Sequence, residues 1–270
     1  MHTANETDRP QTRLLLATLD IPADYRADRL RWWNTNSASW SEHIDADKNR
    51  GAFLAKLARK ACELAGGAER PVVVDLGCGE AAFLRELRRL MPAAVLRGVD
   101  FCPAMLAQAK ARSADLGIDC ALGDLEDQGF TAPCKADVVT AILAMDEMDQ
   151  LEAAFANISR TLAPGAGAMI VVMDPTRERQ RNKGELDVWL TDGVPSDAPV
   201  LLVKTFPTRR MEPAAPYSRI VRPLDHYGDA ATRVGLGSQG VEQWTHRVGI
   251  GDYSDTLTFD VLTFRKLHQE

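Results

Sequence analysis

From Pro71 onward, short apolar runs alternate with longer stretches in which apolar positions recur every three or four residues. PVVVDL, AAVLRGVD, IDCAL, ADVVTAILAM and AMIVVMD are brief and rich in Val, Ile, Leu and Ala, the pattern of strands buried on both faces. Between them, EAAFLRELRRLM carries Phe83, Leu84, Leu87 and Leu90 at helical spacing. PAMLAQAKARSADLG and DQLEAAFANISRTLAPGAG read as two further helices with glycine exits. This alternation predicts an α/β fold in which a parallel sheet is covered by helices on both faces.

The flanks differ from this rhythm. Leu14 to Ala65 reads as helical or mixed, with Asn49 to Leu64 a helix stopped by Gly66-Gly67. Trp32, Trp33 and Trp40 cluster in RWWNTNSASWSEH; three such surfaces must pack against the main domain or a ligand. Residues 1–70 are therefore expected to form a helical lid or cap on a domain spanning 71–270. A substrate-side insertion is expected at about 174–221, at the carboxyl edge where open α/β sheets bind ligands. Within it VLLVKTF reads as an extra strand and TRRMEPAAPYSRIVRP as irregular. Arg177, Arg179, Arg181 and Lys183 are diluted by Glu178, Glu185 and Asp187, as on a solvated loop. DHYGDAATRVGLG reads as a short helix, and VEQWTHRVGIG with DTLTFDVLTFRK as an edge hairpin.

Composition adds limits. A chain of 270 residues, 45% hydrophobic and 26% charged, can bury a substantial core, and disorder is disfavoured. A formal charge of -6 removes the broad electrostatic reason to expect nucleic acid. The five cysteines (Cys62, Cys78, Cys102, Cys120 and Cys134) never form CxxC, and the histidines are dispersed, so no metal site is expected. Scattered thiols suit a reducing compartment. The amino terminus resembles no signal peptide, and the apolar runs are too short to span a bilayer. The expectation is a cytoplasmic monomer or homodimer without membrane partners.

The candidate ligand site lies after the first sheet strand. Gly77-Cys78-Gly79 joins strand to helix, so the backbone can turn tightly and approach a ligand at the helix amino end. Asp75 and Glu80 beside this turn disfavour a pyrophosphate and favour a cationic ligand. S-adenosylmethionine, with its ammonium and sulfonium groups, fits this acidity better than a nicotinamide dinucleotide does. Asp100, ending the second strand, can accept from both ribose hydroxyls; Asp124, after the third, can accept from an adenine amine.

VVVDLGCGEAAF, GVDFCPAML and GDLED, followed by ADVVTAILAM and LEAAFANISRTLAPGAGAMIVV, resemble the ordered motifs of the class I S-adenosylmethionine-dependent methyltransferases. The resemblance is close over roughly Val72 to Met173. It implies a Rossmann-like fold with a mostly parallel seven-stranded sheet and a carboxyl-terminal antiparallel edge hairpin. It places Asp75, Gly77, Cys78 and Gly79 around the methionine moiety, Asp100, Phe101 and Met105 at the adenosine, and Asp124 with Leu125 at the adenine. Ala81 stands where the family has a third glycine, which is compatible with the turn if its φ is negative. Met145-Asp146-Glu147-Met148 replaces a Glu-His pair common among small-molecule members.

Methyl transfer is an in-line displacement in which alignment and water exclusion matter most. Glu147, Asp146 and His226 are the candidate catalytic bases. Trp33, Trp40, Tyr217, Arg222 and Tyr227 are the candidate substrate contacts, with Arg219 or Arg222 able to hold an acceptor carboxylate; His246 ranks lower. The reading is methyl transfer to an oxygen, nitrogen or carbon of a small, partly apolar metabolite, as in secondary metabolism. An RNA methyltransferase and a non-catalytic cofactor-binding scaffold are the alternatives. No Asn- or Asp-Pro-Pro-Tyr/Phe follows the fourth strand, and a nicotinamide oxidoreductase would lack its Tyr-x-x-x-Lys pair.

Overall fold

The computed structural model describes residues 13–18, 20–177, 198–205, 216–251 and 253–268. In chain order it comprises β1 (Arg13–Thr18), α1 (Tyr25–Asp45), α2 (Arg50–Leu64), β2 (Val72–Leu76), α3 (Ala82–Leu90), β3 (Val95–Asp100), α4 (Pro103–Ser113) and β4 (Ile118–Leu122). After β5 (Ala136–Ile142) and a single 3-10 turn (Met145–Glu147) come α5 (Leu151–Thr161), β6 (Leu162–Met173), β7 (Val200–Thr205) and β8 (Pro216–Val221). The chain ends with α6 (Leu224–Arg233), β9 (Leu236–Ile250) and β10 (Tyr253–Lys266).

The main sheet has seven strands in the order β4-β3-β2-β5-β6-β10-β9. β2 to β6 pair in parallel, while β10 runs antiparallel to both β6 and β9, giving the expected hairpin. The strand order reverses between β3-β2 and β5, so the crevice at their carboxyl ends is the ligand position for such a sheet. Period-two alternation splits the core. Val73 and Val138 face α2, α3 and α4 with Leu57, Leu84 and Leu106, whereas Val74 and Val139 face α5 and α6 with Phe155 and Ala230. Among the described residues, no helix is long and apolar enough to cross a membrane.

The cap differs from expectation. Residues Arg13–Thr18, which overlap the Leu14–Ala65 segment read as helical or mixed, form a strand pairing antiparallel with β7. The stretch read as irregular contributes β8, also antiparallel to β7, so that the three make a separate sheet ordered β1-β7-β8. Strand pairing between segments far apart in sequence overrides weak local patterning. This sheet packs β8 against α1 and the turn after β5, over the crevice. Tyr25, Leu201 and Ile220 form its small core. Arg179, Arg181 and Lys183 lie outside the described residues.

The β2–α3 turn is shaped by backbone sterics. Gly77 (φ 77) and Gly79 (φ 53) are left-handed, and the Gly77 and Cys78 N–H groups donate to the Val99 carbonyl at 2.7 and 3.0 Å. A Cβ on Gly77 would stand 2.5 Å from that of Ala144. The negative φ expected for Ala81 is not found: it is left-handed at φ 60 and fully buried. Its carbonyl accepts the first helical bond, from Arg85 N–H at 2.9 Å, so α3 starts from a left-handed residue. Gly77→Ala is expected to destabilise the protein by about 2–4 kcal/mol in urea unfolding, combining left-handed strain with a steric clash. Adding Ala144→Gly should recover the clash and leave the strain.

Candidate active site

A cavity of about 450 Å³ opens at the carboxyl ends of β2, β3, β5 and β6. All nine residues expected at the cofactor line it: Asp75, Gly77, Cys78, Gly79, Asp100, Phe101, Met105, Asp124 and Leu125. Asp75, at the end of β2, accepts from the Thr140 hydroxyl at 2.6 Å. Burial pushes its carboxyl up to about 7, with the Thr140 bond opposing and the Asp100 charge adding. Asp100 accepts from Gly79 N–H and Cys102 N–H, both at 2.8 Å, one on each oxygen. Burial raises it too, against those two backbone donors. Neither acid forms a salt bridge with a described residue. Asp124 does: Arg26 Nε lies 2.6 Å from its Oδ2. Glu80, considered for a cationic ligand, instead pairs with Arg50 (2.7 Å) and Arg112.

α1 and β8 cover the cavity. Tyr25, Arg29, Trp33 and Trp40 recur at four- and seven-residue spacing along α1, and Tyr217 and Arg219 alternate on β8, so each set shares a face. Trp33, Trp40, Tyr217 and the predicted acids Asp146 and Glu147 all line the cavity. Trp33 Nε1 donates to Glu147 Oε2 at 2.7 Å, and the Tyr217 hydroxyl donates to Oε1. Burial pushes the Glu147 carboxyl up to about 7, against the Tyr217 bond and the Arg29 charge. The backbone carbonyl of Glu147 accepts from the Tyr25 hydroxyl (2.9 Å) and from Arg29.

Three predicted residues do not line the cavity. His226 stands in the first turn of α6, its N–H shared by the Pro223 carbonyl (3.2 Å) and Asp225 Oδ1 (3.0 Å). Tyr227 is 1% exposed in the core beneath the sheet, with Met145 and Phe155. Arg222 donates to the carbonyls of Met148 and Asp149, bracing the loop after β5. α6, which carries His226 and Tyr227, packs on α5, and Arg222 precedes it; none of the three lines the cavity.

Other lining residues were not singled out as site residues. Arg29 was visible in principle, one turn from Trp33 on the same helical face. Asp47 and His246 bond at 2.5 Å across 199 residues, for which no local signal exists. Burial opposes ionisation of Asp47, but the Gly249 and Asn49 N–H groups and the His246 ring hold its carboxyl below its usual range.

A methyltransferase-domain family matches residues 73–165, the β2 to β6 region that builds the crevice. The malonyl-[acyl-carrier protein] O-methyltransferase of Hahella chejuensis is 30% identical over 118 residues, 44% of this chain and 39% of that protein. The chain thus spans well under half of that relative's length. The trans-aconitate 2-methyltransferase of Acidovorax ebreus is 26% identical over 217 residues, 76% of this chain and 80% of that protein. The fold is shared with the N-methyltransferase NodS from Bradyrhizobium japonicum, solved with S-adenosyl-L-homocysteine. Its TM-score is 0.55 at 13% identity, covering 87% of this chain and all of that one (100%). Over residues 73–165 the chain is thus similar to a methyltransferase-domain family, and its fold is the one seen in S-adenosylmethionine-dependent methyltransferases.

The geometry of the cavity fits S-adenosylmethionine. Side-chain-free backbone at Gly77 and Gly79 opens the turn, and Asp75 and Asp100 are buried acids that form no salt bridge with a described residue, a donor set suited to cationic or hydroxylic groups. The raised carboxyl of Asp75 also sets a pH dependence. The folded protein keeps a proton on Asp75 that the unfolded chain releases near 3.9, so stability falls as pH rises from about 4 to about 7. Asparagine keeps the acceptor for Thr140 without the charge. Cofactor-free Asp75→Asn is therefore expected to exceed the parent by about 2–4 kcal/mol at pH 8 and to match it near pH 4 in urea unfolding.

Proposed function

We propose that this enzyme methylates an oxygen, nitrogen or carbon atom of a small, partly apolar metabolite. One observation carries the reading: the Gly77–Gly79 turn and Asp100 share a single cavity with the Trp40, Met173, Tyr217 and Leu257 side chains. Its volume, about 450 Å³, falls within the roughly 300–1,000 Å³ of small-ligand sites. When bound, S-adenosylmethionine supplies a methyl group activated by a cationic sulfur. Asp100 uses one lone pair of each oxygen on Gly79 and Cys102, which leaves acceptor capacity for ribose hydroxyls. Phe101, Met105 and Leu125 offer apolar surface to the base. α1 and β8 cover the reacting end and exclude water. Glu147, with its carboxyl near 7, can take a proton from an acceptor at neutral pH.

The charge of the cavity argues against RNA. Among the described lining residues, seven carboxylates face three guanidiniums, the wrong balance for a phosphate backbone. The relatives named for malonyl and trans-aconitate substrates bring carboxylic acids into the range of acceptors to be tried.

Calorimetry with S-adenosylmethionine is expected to show binding that Asp100→Ala weakens at least tenfold, about 1.4 kcal/mol. Unchanged affinity would remove Asp100 from the ribose. Incubation with isotope-labelled cofactor and a metabolite extract should yield a labelled small molecule by mass spectrometry. Binding without any labelled product would favour the scaffold reading.

A further inference from the structure

The acceptor end of the cavity has a specific wall. Trp33 meets Trp40 and Tyr217 edge-on, with ring centroids 5.5 and 6.2 Å apart, and Trp40 stacks on Tyr217 at 6.3 Å and 19°. Trp33 and Tyr217 both donate to the carboxylate of Glu147, which is only 6% exposed. These are neutral donors, and Glu147 forms no salt bridge with any described residue. Aromatic faces carry negative partial charge, so rings and carboxylate together attract a cation with an apolar body.

The cavity arginines offset this only in part: the Arg29 charge acts on the Glu147 carboxyl, but Arg29 bonds only its backbone carbonyl. Arg29 pairs with Glu126, Arg50 with Glu80 and Asp45, and Arg219 lies 3.7 Å from Asp146. Asp75 and Asp100 answer to the cofactor, and Asp47 to His246. Glu147 is the lining carboxylate whose direct side-chain hydrogen-bond partners, among the described residues, are the neutral Trp33 and Tyr217. An anionic acceptor would meet it across the wall at short range, in a cavity of low dielectric where like charges repel strongly.

We propose that the acceptor is a small primary or secondary amine with an apolar or aromatic body, bound as its ammonium against Glu147 and the Trp33–Trp40–Tyr217 wall. This deepens, and rests on, the methyltransferase reading. Passing one ammonium proton to the Glu147 carboxylate leaves a neutral amine with a free lone pair and a neutral acid, so no net charge is created. A carboxyl that burial has raised to about 7 accepts that proton more readily than an ordinary glutamate does.

The test measures binding, not turnover. With S-adenosylhomocysteine saturating the protein, phenethylamine, 3-phenylpropionate and trans-aconitate are titrated by calorimetry and tryptophan fluorescence. Phenethylamine is expected to bind at least tenfold more tightly than 3-phenylpropionate, and trans-aconitate to fail to displace it. Glu147→Gln should cost the amine at least tenfold and leave S-adenosylhomocysteine affinity unchanged. Equal or tighter binding of either carboxylate overturns the proposal, as does a lack of amine binding at millimolar concentration. So does amine affinity untouched in Glu147→Gln. If that variant does not fold, the charge preference of the unmodified protein decides alone. Loss of S-adenosylhomocysteine binding by the unmodified protein would instead overturn the methyltransferase reading itself.

Discussion

The site is organised around one buried cation, the guanidinium of Arg29. It projects from α1 into the crevice, 5% exposed, where an isolated charge would be prohibitively costly. Three loops compensate it. Glu126, beyond β4, supplies the carboxylate; Glu147, beyond β5, supplies its backbone carbonyl; Phe101, beyond β3, lies with its ring centroid 4.7 Å from the guanidinium carbon. Glu126 also accepts the N–H groups of Asp149 and Gln150 (2.7 and 2.8 Å), where α5 begins. One side chain thus ties the cap to three strand ends and a helix amino terminus. Because Trp33 sits one turn along α1, the same anchor delivers the indole that holds the Glu147 carboxylate.

Around this anchor the cavity keeps unspent electrostatic and steric potential. Asp75, Asp100 and Glu147 are buried acids whose carboxyls are all raised, chiefly by loss of water. Each is a place where a cationic or hydrogen-bonding ligand is worth more than it would be on the surface. Two side-chain-bearing residues also adopt left-handed backbone here, Ala81 at φ 60 and Leu143 at φ 55. Leu143 lines the cavity, and its N–H is held by the Val171 carbonyl at 2.8 Å. Such conformations persist where the surrounding structure overdetermines them; Ala81 is fully buried, whereas Leu143 is exposed at the cavity and held by its backbone bond.

Much of the cofactor side could be read without coordinates. The alternation of apolar runs and helical stripes specified the central sheet, since each element buries a face set by its own period. The glycine turn and the acids at the strand ends were legible because their chemistry is local: positive φ requires glycine, and a strand end is a fixed place in the fold. Even there, Ala81 takes a left-handed backbone, not the negative φ on which its compatibility with the turn was conditional. The strands of the cap were less legible: β8 follows a turn-rich stretch and owes its existence to pairing with β7.

The sequence by itself determined the α/β class, the crevice, the glycine turn after β2 and the aromatic residues that line the cavity. Only the tertiary structure decided which polar side chains face it. Arg222, His226 and Tyr227 looked equivalent to Tyr217 and Arg219 in sequence, yet the chain turns into α6 on the far side of the sheet and buries or diverts them. Asp47 and His246, 199 residues apart, meet because β9 closes the sheet edge beside the α1–α2 junction. Local periodicity fixes which face of an element is buried; what that face meets depends on contacts between distant segments, which no short window of sequence contains.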